Sequence, residues 1–316
     1  MCGPEVWTRL LSCGETNTLF QTREWLLPWR RALDEGKLLL IVAECDDQVV
    51  ALAPLFASEG MVFFLGAGES DYLDFIGDTS HPEVLPAILE AARAATPGFL
   101  GFRFHLVPSA SRTGDRLRLA AAQLGLACFI EKELPAYEID MIQHADFLRT
   151  TTSRSMLKRE TYFRNNGRFE IQRLRDPEDV RTHLPAFFEQ HAARWAGKDY
   201  QSPFLVPRRR EWLEYAVEST GRAGWLRLRR LDWNDRPLAI SFSWSYRGVH
   251  YAGPWSFDIE HGRHCPGHVI LRHAILDALD EGLLVYDLRG GDDQYKSRFP
   301  TRTKSTTTWG LYPPGD

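Results

Sequence analysis

Asp287, Asp292, Tyr295, Lys296 and Arg298 fall within one stretch, DLRGGDDQYKSR, loosened by the pair Gly290-Gly291. A carboxylate within hydrogen-bond reach of a nucleophile's proton can serve as a general base, and Asp287 and Asp292 are the candidates. A phenol whose ordinary pKa is about 10 suits protonation of a leaving thiolate, which makes Tyr295 the candidate acid. Lys296 and Arg298 offer charge-assisted hydrogen bonds to a phosphate or carboxylate. Plainer readings stand beside these. The carboxylates can cap or pair with Arg289 and Arg298, Tyr295 can be a packed aromatic, and the cations can be solvated surface charge.

The elements before this stretch must aim it. Phe242, Trp244 and Tyr246, then Val249 and Tyr251, read as two strands turning at Arg247-Gly248. Gly253-Pro254 interrupts the ladder, since proline cannot donate to it and glycine packs nothing there. After the loop Asp258 to Pro266, Leu271, Ala274, Ile275, Ala278 and Leu279 recur at the spacing of one helix face. Gly282 closes that helix, and Leu283 to Tyr286 is a short apolar strand. A β–α–β crossover of this length joins parallel strands. Ligands in such units lie beyond the carboxyl ends of the strands, where Asp287 to Arg298 begins.

A chain of 316 residues exceeds one small core, so two domains are expected. The net charge of −4 argues against general nucleic-acid binding without excluding a local basic patch. Five scattered cysteines with no C-x-x-C point to a reducing cytoplasm rather than a disulfide framework. No apolar run approaches the roughly 20 residues of a membrane span, and MCGPEVWTRL has no signal-peptide pattern.

In the first half a helix over residues 16 to 34 presents Phe20, Trp25 and Trp29, with Pro28 dividing or kinking it. LLLIVAEC and VVALAPLFAS form a hairpin around Asp46-Asp47-Gln48, and MVFFLGAG is a third strand. A helix from Glu83 to Ala95, the strand FLGFRFHLV, a helix from Arg116 to Leu124, and strands CFIEKEL and AYEID complete it. The order then restarts: a helix from Asp146 to Asn165, the strand RFEIQRL, helices from Val180 to Trp195 and Arg209 to Thr220, and a hairpin around Trp233-Asn234-Asp235. The two hairpins share strand, acidic turn and aromatic end, which favours two copies of one α/β fold. The boundary is expected near residues 138 to 150, giving domains 1–143 and 144–316.

Three further features bear on chemistry. His191 and Trp195 share a helix face with i, i+4 spacing, where a histidine is either a site residue or a hydrogen-bonded core residue. His261, His264, Cys265 and His268 are zinc-type ligands, but their spacings match no closed site, and no metal is expected. Arg149 to Arg175 carries eight basic residues, Arg159 among them, against two glutamates. That asymmetry fits a phosphorylated acceptor, a nucleotide-sugar or tRNA, or else a solvated basic helix.

H-x-x-R-W at His191 to Trp195, the hairpin at 225 to 244, P-G-H at Pro266 to His268 and D-L-R-G-G-D-D-Q-Y-K at Asp287 to Lys296 resemble the CelD-like, cellulose-biosynthesis-type acetyltransferases. That group belongs to the Gcn5-related N-acetyltransferase superfamily and is similar to the Fem-type aminoacyltransferases, which pair two such folds. The resemblance covers the C-terminal half in order and the first half loosely. It implies two tandem acetyltransferase-like domains of mixed α/β sheets. It also implies an acyl-CoA donor, acetyl-CoA first, and an amine or hydroxyl acceptor on a small molecule, sugar or envelope precursor. Asp287, Asp292, Tyr295 and His191 are then catalytic. Arg263, Gly267 and His268 face coenzyme A, and Lys296, Arg298, Trp195 and Arg159 face substrate.

One departure is visible. The superfamily's coenzyme A loop pairs glycines at a helix start, whereas here EHGRHCPG offers one Arg and one Gly. An aminoacyl-tRNA donor needs no such loop, so Fem-like transfer is the alternative, and a non-catalytic metabolite-binding protein is the third reading.

Overall fold

The computed structural model describes residues 3–33, 35–149, 153–291, 295, 296, 299 and 301–315, with only the backbone of 153–155. The chain divides into two compact units, Met1–Ala136 with Thr303–Asp316, and Tyr137–Arg302. It passes between them at 136/137 and 302/303, where the sequence suggested one boundary at 143/144. The physical reason is the final strand, which hydrogen-bonds within the first unit.

The first unit opens with α1 (Pro4–Cys13), unforeseen in the sequence, which starts on Pro4 and buries Trp7, Leu10 and Leu11. A 3₁₀ turn at Leu19–Gln21 precedes α2 (Arg23–Leu33), and Pro28 lies inside that helix. Strands β1 (Lys37–Cys45) and β2 (Gln48–Ser58) form the expected antiparallel hairpin. Asp46 and Asp47 both have positive φ, 50° and 59°, matching a tight turn whose twist suits the flanking strands. Then come β3 (Met61–Phe64), β4 (Ile76–Gly77), α3 (Val84–Ala94), β5 (Gly101–Pro108), α4 (Thr113–Gln123) and β6 (Ala127–Asp140). The two strands expected at CFIEKEL and AYEID are one, because Pro135 removes a donor without bending extended backbone. The strand order is β1-β2-β3-β5-β12-β6, where β12 (Thr301–Tyr312) returns antiparallel to β5. Phe20, Trp25, Trp29, Phe64, Phe102 and Phe104 are fully buried, each contributing about 2–3 kcal/mol of apolar burial.

The second unit contains α5 (Ala145–Phe147), α6 (Ser153–Asn166), β7 (Phe169–Leu174), α7 (Pro177–Arg181), α8 (Leu184–Trp195), α9 (Pro207–Arg222), β8 (Leu226–Trp233), β9 (Arg236–Tyr246), β10 (Val249–Phe257), α10 (Pro266–Asp280) and β11 (Val285–Gly290). Its strands run β6-β11-β10-β9-β8-β7. The helix expected from Val180 to Trp195 is two helices, since Asp176 caps the first and Pro185 begins the second. Asn234 and Asp235 repeat the positive-φ hairpin turn at 51° and 63°. The β10–α10–β11 crossover is present, parallel as expected, and Gly282 ends α10 with φ 69°. Among the described residues no helix is long and apolar enough to cross a membrane.

Charge, as well as apolar packing, fixes α10 to its neighbours. Arg229, 2 % exposed, donates to Asp277 at 2.7 Å and to Ser243 at 3.0 Å. Arg173 also binds Asp277, and Arg175 and Arg227 bind Glu281. With Arg149 on Asp280, Arg164 on Glu160 and Arg168 on Glu170, five of the eight cations of the basic stretch are ion-paired. That stretch is mostly neutralised where it folds.

Glu160 of α6 is buried among Arg164, at 2.6 Å, and Arg272 and His273 of α10, at 2.9 and 2.8 Å. Burial alone would raise its pKa, but His273 and Arg164 outweigh it and hold the carboxyl at about 2. A depressed value stabilises the fold fully above the ordinary value near 4.5 and loses that contribution as pH falls toward about 2. Glu160→Gln should therefore cost about 3 kcal/mol at neutral pH, leaving His273 and Arg272 short of a partner. Urea melts from pH 7 to pH 2.5 should also show a shallower acid loss in the variant than in the parent.

Candidate functional site

The site begins where a register ends. Strands β10 and β11 pair at Val249/Val285, His250/Tyr286 and Tyr251/Asp287, and at no later residues among those described. Opposite the end of this ladder, β10 bulges against β9 between Ala252 and Trp255, the position of Gly253-Pro254. Bulges bend a strand and end its pairing, so two sequence features converge on one opening. Past Tyr251, β10 has no β11 partner among the described residues, which leaves its edge open to a carbonyl-polarising role.

Asp287 stands at the last pair, 1 % exposed, and its Oδ1 accepts the Arg289 N–H at 2.6 Å. Arg289 takes a left-handed φ of 65°, and Gly291 one of 101°, which turns the chain back. Lys296 closes this turn. It is 2 % exposed, and its Nζ donates to the carbonyls of Arg289 at 3.2 Å, Gly290 at 2.8 Å and Gly291 at 2.8 Å. Three donors on an ammonium thus meet three carbonyls, with the Tyr137 ring 5.6 Å away. Lys296 is spent on loop geometry rather than offered to solvent.

Tyr295 packs on the cluster formed by Ile139, Met141, Tyr286, Leu288 and Phe299. Side chains alternate along a strand, so Asp287 points to the face of β11 opposite Tyr286 and Leu288. Asp292 and Arg298 lie outside the described residues.

A second group forms on α8. His191, 6 % exposed, bonds Ser202 Oγ through Nδ1 at 2.8 Å and stacks with Trp195 at 6.1 Å. Burial, with help from Arg194, pushes its pKa down to about 4, so the ring is neutral at physiological pH. Trp195 has a buried Nε1 with no hydrogen-bond partner among the described residues, an orphan donor that calls for an explanation. Arg194, between them in sequence, lies 3.8 Å over the Trp255 ring and donates to the Trp255 carbonyl at 2.8 Å. Arg194 and Trp255 were not singled out as site residues; the sequence signal was Arg194's membership in H-x-x-R-W.

Trp255 also governs the helix start. Its ring lies against Gly267, where any Cβ would collide with it. Cys265, at left-handed φ 53°, precedes Pro266, and the His268 N–H turns back to the Cys265 carbonyl at 3.0 Å. Proline has no N–H, so little of the amide cradle expected for a pyrophosphate remains at this terminus. Arg263 donates to His264 at 2.9 Å, and His264 stacks on Tyr162 with ring centres 3.6 Å apart. Arg159 on α6 is half-buried, with no ion pair or hydrogen bond among the described residues. No group of three or more His, Cys, Asp or Glu side chains among those residues converges as a metal site.

The described contacts therefore form two groups, one around Asp287 and Lys296 and one around His191, Trp195, Trp255 and Gly267, while Tyr295 packs with Tyr286 and Leu288 on the face of β11 away from Asp287. The two groups are joined through β10, whose Tyr251 pairs with Asp287 and whose Trp255 carbonyl meets Arg194.

Residues 151–297 match the family model described as an acetyltransferase (GNAT) domain. No curated protein sequence matches the chain. The crystal structure of FemX is similar with TM-score 0.70 at 12 % identity, over 99 % of this chain and 96 % of that one. The structure of L-PGS from Bacillus licheniformis is similar with TM-score 0.61 at 13 % identity, over 100 % and 93 %. A tandem GNAT protein from the clavulanic acid biosynthesis pathway is similar with TM-score 0.50 at 11 % identity, over 93 % and 95 %. Residues 151–297 of the second unit thus match a GNAT-type domain, and the chain as a whole has a two-domain GNAT-like α/β fold.

Proposed function

We propose that the second unit is an acyltransferase, moving an acyl group from acyl-CoA, acetyl-CoA first, to an amine or hydroxyl of a small molecule, sugar or envelope precursor in the cytoplasm. The observation that carries this reading is the parting of β10 from β11 immediately after the Tyr251/Asp287 pair. Amides of the parted β10 edge would polarise the acyl carbonyl. Asp287, buried at the mouth of the opening, takes the proton of the attacking amine or hydroxyl as the new C–N or C–O bond forms. The C–S bond breaks, and the departing sulfur takes its proton from solvent; Tyr295, packed with Tyr286 and Leu288 on the face away from Asp287, is assigned no proton transfer.

His191 is assigned a different part in this scheme. A base held at about 4 is weak near neutrality, so His191 serves better by fixing Ser202 and the Trp195 ring. Trp195 Nε1 offers its orphan N–H to a substrate oxygen. Lys296 and, on the opposite approach, Arg263, Gly267 and His268 shape the walls for the donor. Asp292 and Arg298 keep the roles suggested by the sequence, a second carboxylate and an anion partner.

A second reading, a Fem-like aminoacyl-tRNA donor, is favoured by one observation: Trp255, Pro266 and the inward His268 N–H leave little at the start of α10 to grip a pyrophosphate. Against it stands the basic stretch, most of whose described cations are ion-paired.

Steady-state thiol release from acetyl-CoA and longer acyl-CoAs, with a panel of amine and hydroxyl acceptors, tests the first reading. Asp287→Asn should lower kcat about a hundredfold, whereas Tyr295→Phe should leave it nearly unchanged, with folding checked by thermal melts. An unchanged rate in Asp287→Asn would remove its assigned role. Absence of turnover with every acyl-CoA, together with binding of aminoacyl-tRNA, would favour the second. Gly267→Ala should displace the Trp255 ring, costing about 1–3 kcal/mol and shifting tryptophan emission. Trp255→Ala should make the same glycine substitution nearly silent in a double-mutant cycle.

A further inference from the structure

The parting of parallel strands occurs twice in this chain. In the first unit β3 and β5 pair at Met61/Gly101, Val62/Phe102 and Phe63/Arg103, and at no later residues among those described. Beyond that point β5 bulges against β12 between Thr307 and Trp309, opposite His105 and Leu106. Leu106 takes a left-handed φ of 56°, unusual for a residue with a branched side chain. Bulge and strain together turn His105 and Leu106 into a cavity of about 520 Å³. That volume lies in the usual range of about 300–1,000 Å³ for small-ligand sites.

The lining is chemically specific. Phe56, Phe63 and His105, on adjacent strands, form a stack with ring centres 5.2 and 6.0 Å apart and interplanar angles of 26° and 9°. Leu106 and Leu134 add apolar wall. The charged lining residues are Lys132 and Glu35, both exposed, and neither makes an ion pair or hydrogen bond among the described residues. Burial, Arg103 and Lys132 keep His105 below its ordinary pKa against the pull of Glu131, which favours the uncharged ring in the stack.

We infer that this cavity binds an aromatic zwitterion of the α-amino-acid class, its ring continuing the Phe56–Phe63–His105 stack, its carboxylate on Lys132 and its ammonium on Glu35. Flat rings stack favourably on aromatic faces, and opposite charges at the rim select a ligand carrying both signs. A purely apolar ligand would leave both charges without function, and an anion alone would be repelled by Glu35. The inference stands on the first unit by itself and does not require the second unit to transfer acyl groups.

Isothermal titration of the full chain with L-tryptophan, tryptamine and indole-3-propionate tests it. L-Tryptophan should bind more tightly than either analogue, each of which lacks one charge. Lys132→Met should weaken L-tryptophan about fivefold without weakening tryptamine, and Glu35→Gln should weaken L-tryptophan about as much without weakening indole-3-propionate. Both side chains are exposed, so neither variant should disturb folding. Phe63→Ala should abolish binding of all three, with a melt to confirm the fold. Absence of heat with any probe, equal affinity for all three, or binding indifferent to Lys132→Met and Glu35→Gln would overturn the inference.

Discussion

Three residue pairs between β10 and β11, ending at Tyr251/Asp287, are the constraint on which the second unit's chemistry depends. A parallel ladder that continued would consume the amides of both edges and leave no room for a third group. By stopping it, the bulge at Gly253-Pro254 turns a load-free stretch of sheet into an opening with polar walls. The last paired residue is a buried carboxylate, so the end of the ladder and the start of the chemistry coincide.

Holding that opening requires order at Arg289 to Gly291, which glycines alone would not give. The buried ammonium of Lys296 supplies it by gathering three consecutive carbonyls. On the other side Trp255 does the corresponding work, packed on Gly267 and held by Arg194. The ion pairs of Asp277, Glu281 and Glu160 then fix α10, the element that joins the two strands. Local cations in this unit are therefore mainly structural.

The crossover was legible in the sequence because its cues are local: strand alternation, helix spacing, Gly282 and the Gly253-Pro254 break. The positive-φ hairpin turns at Asp46-Asp47 and Asn234-Asp235 were legible for the same reason. What escaped was set by distant partners. Nothing in the spacing of Lys296 announces a carbonyl cage, and the charge excess of 149–175 looked like a surface patch because its carboxylates lie about a hundred positions later, at Asp277, Asp280 and Glu281. The return of β12 to the first unit likewise depends on pairing with β5, across most of the chain. The weak internal similarity of the halves has a physical counterpart, since β3/β5 and β10/β11 each part after three pairs.

The most direct measurement of the central claim is amide chemical-shift mapping during titration with a non-reactive ketone analogue of acetyl-CoA. The account predicts that the largest shifts fall on Ala252, Gly253 and Trp255, the β10 edge freed where β10 and β11 part. Tight binding with shifts centred elsewhere, and those amides unmoved, would contradict it.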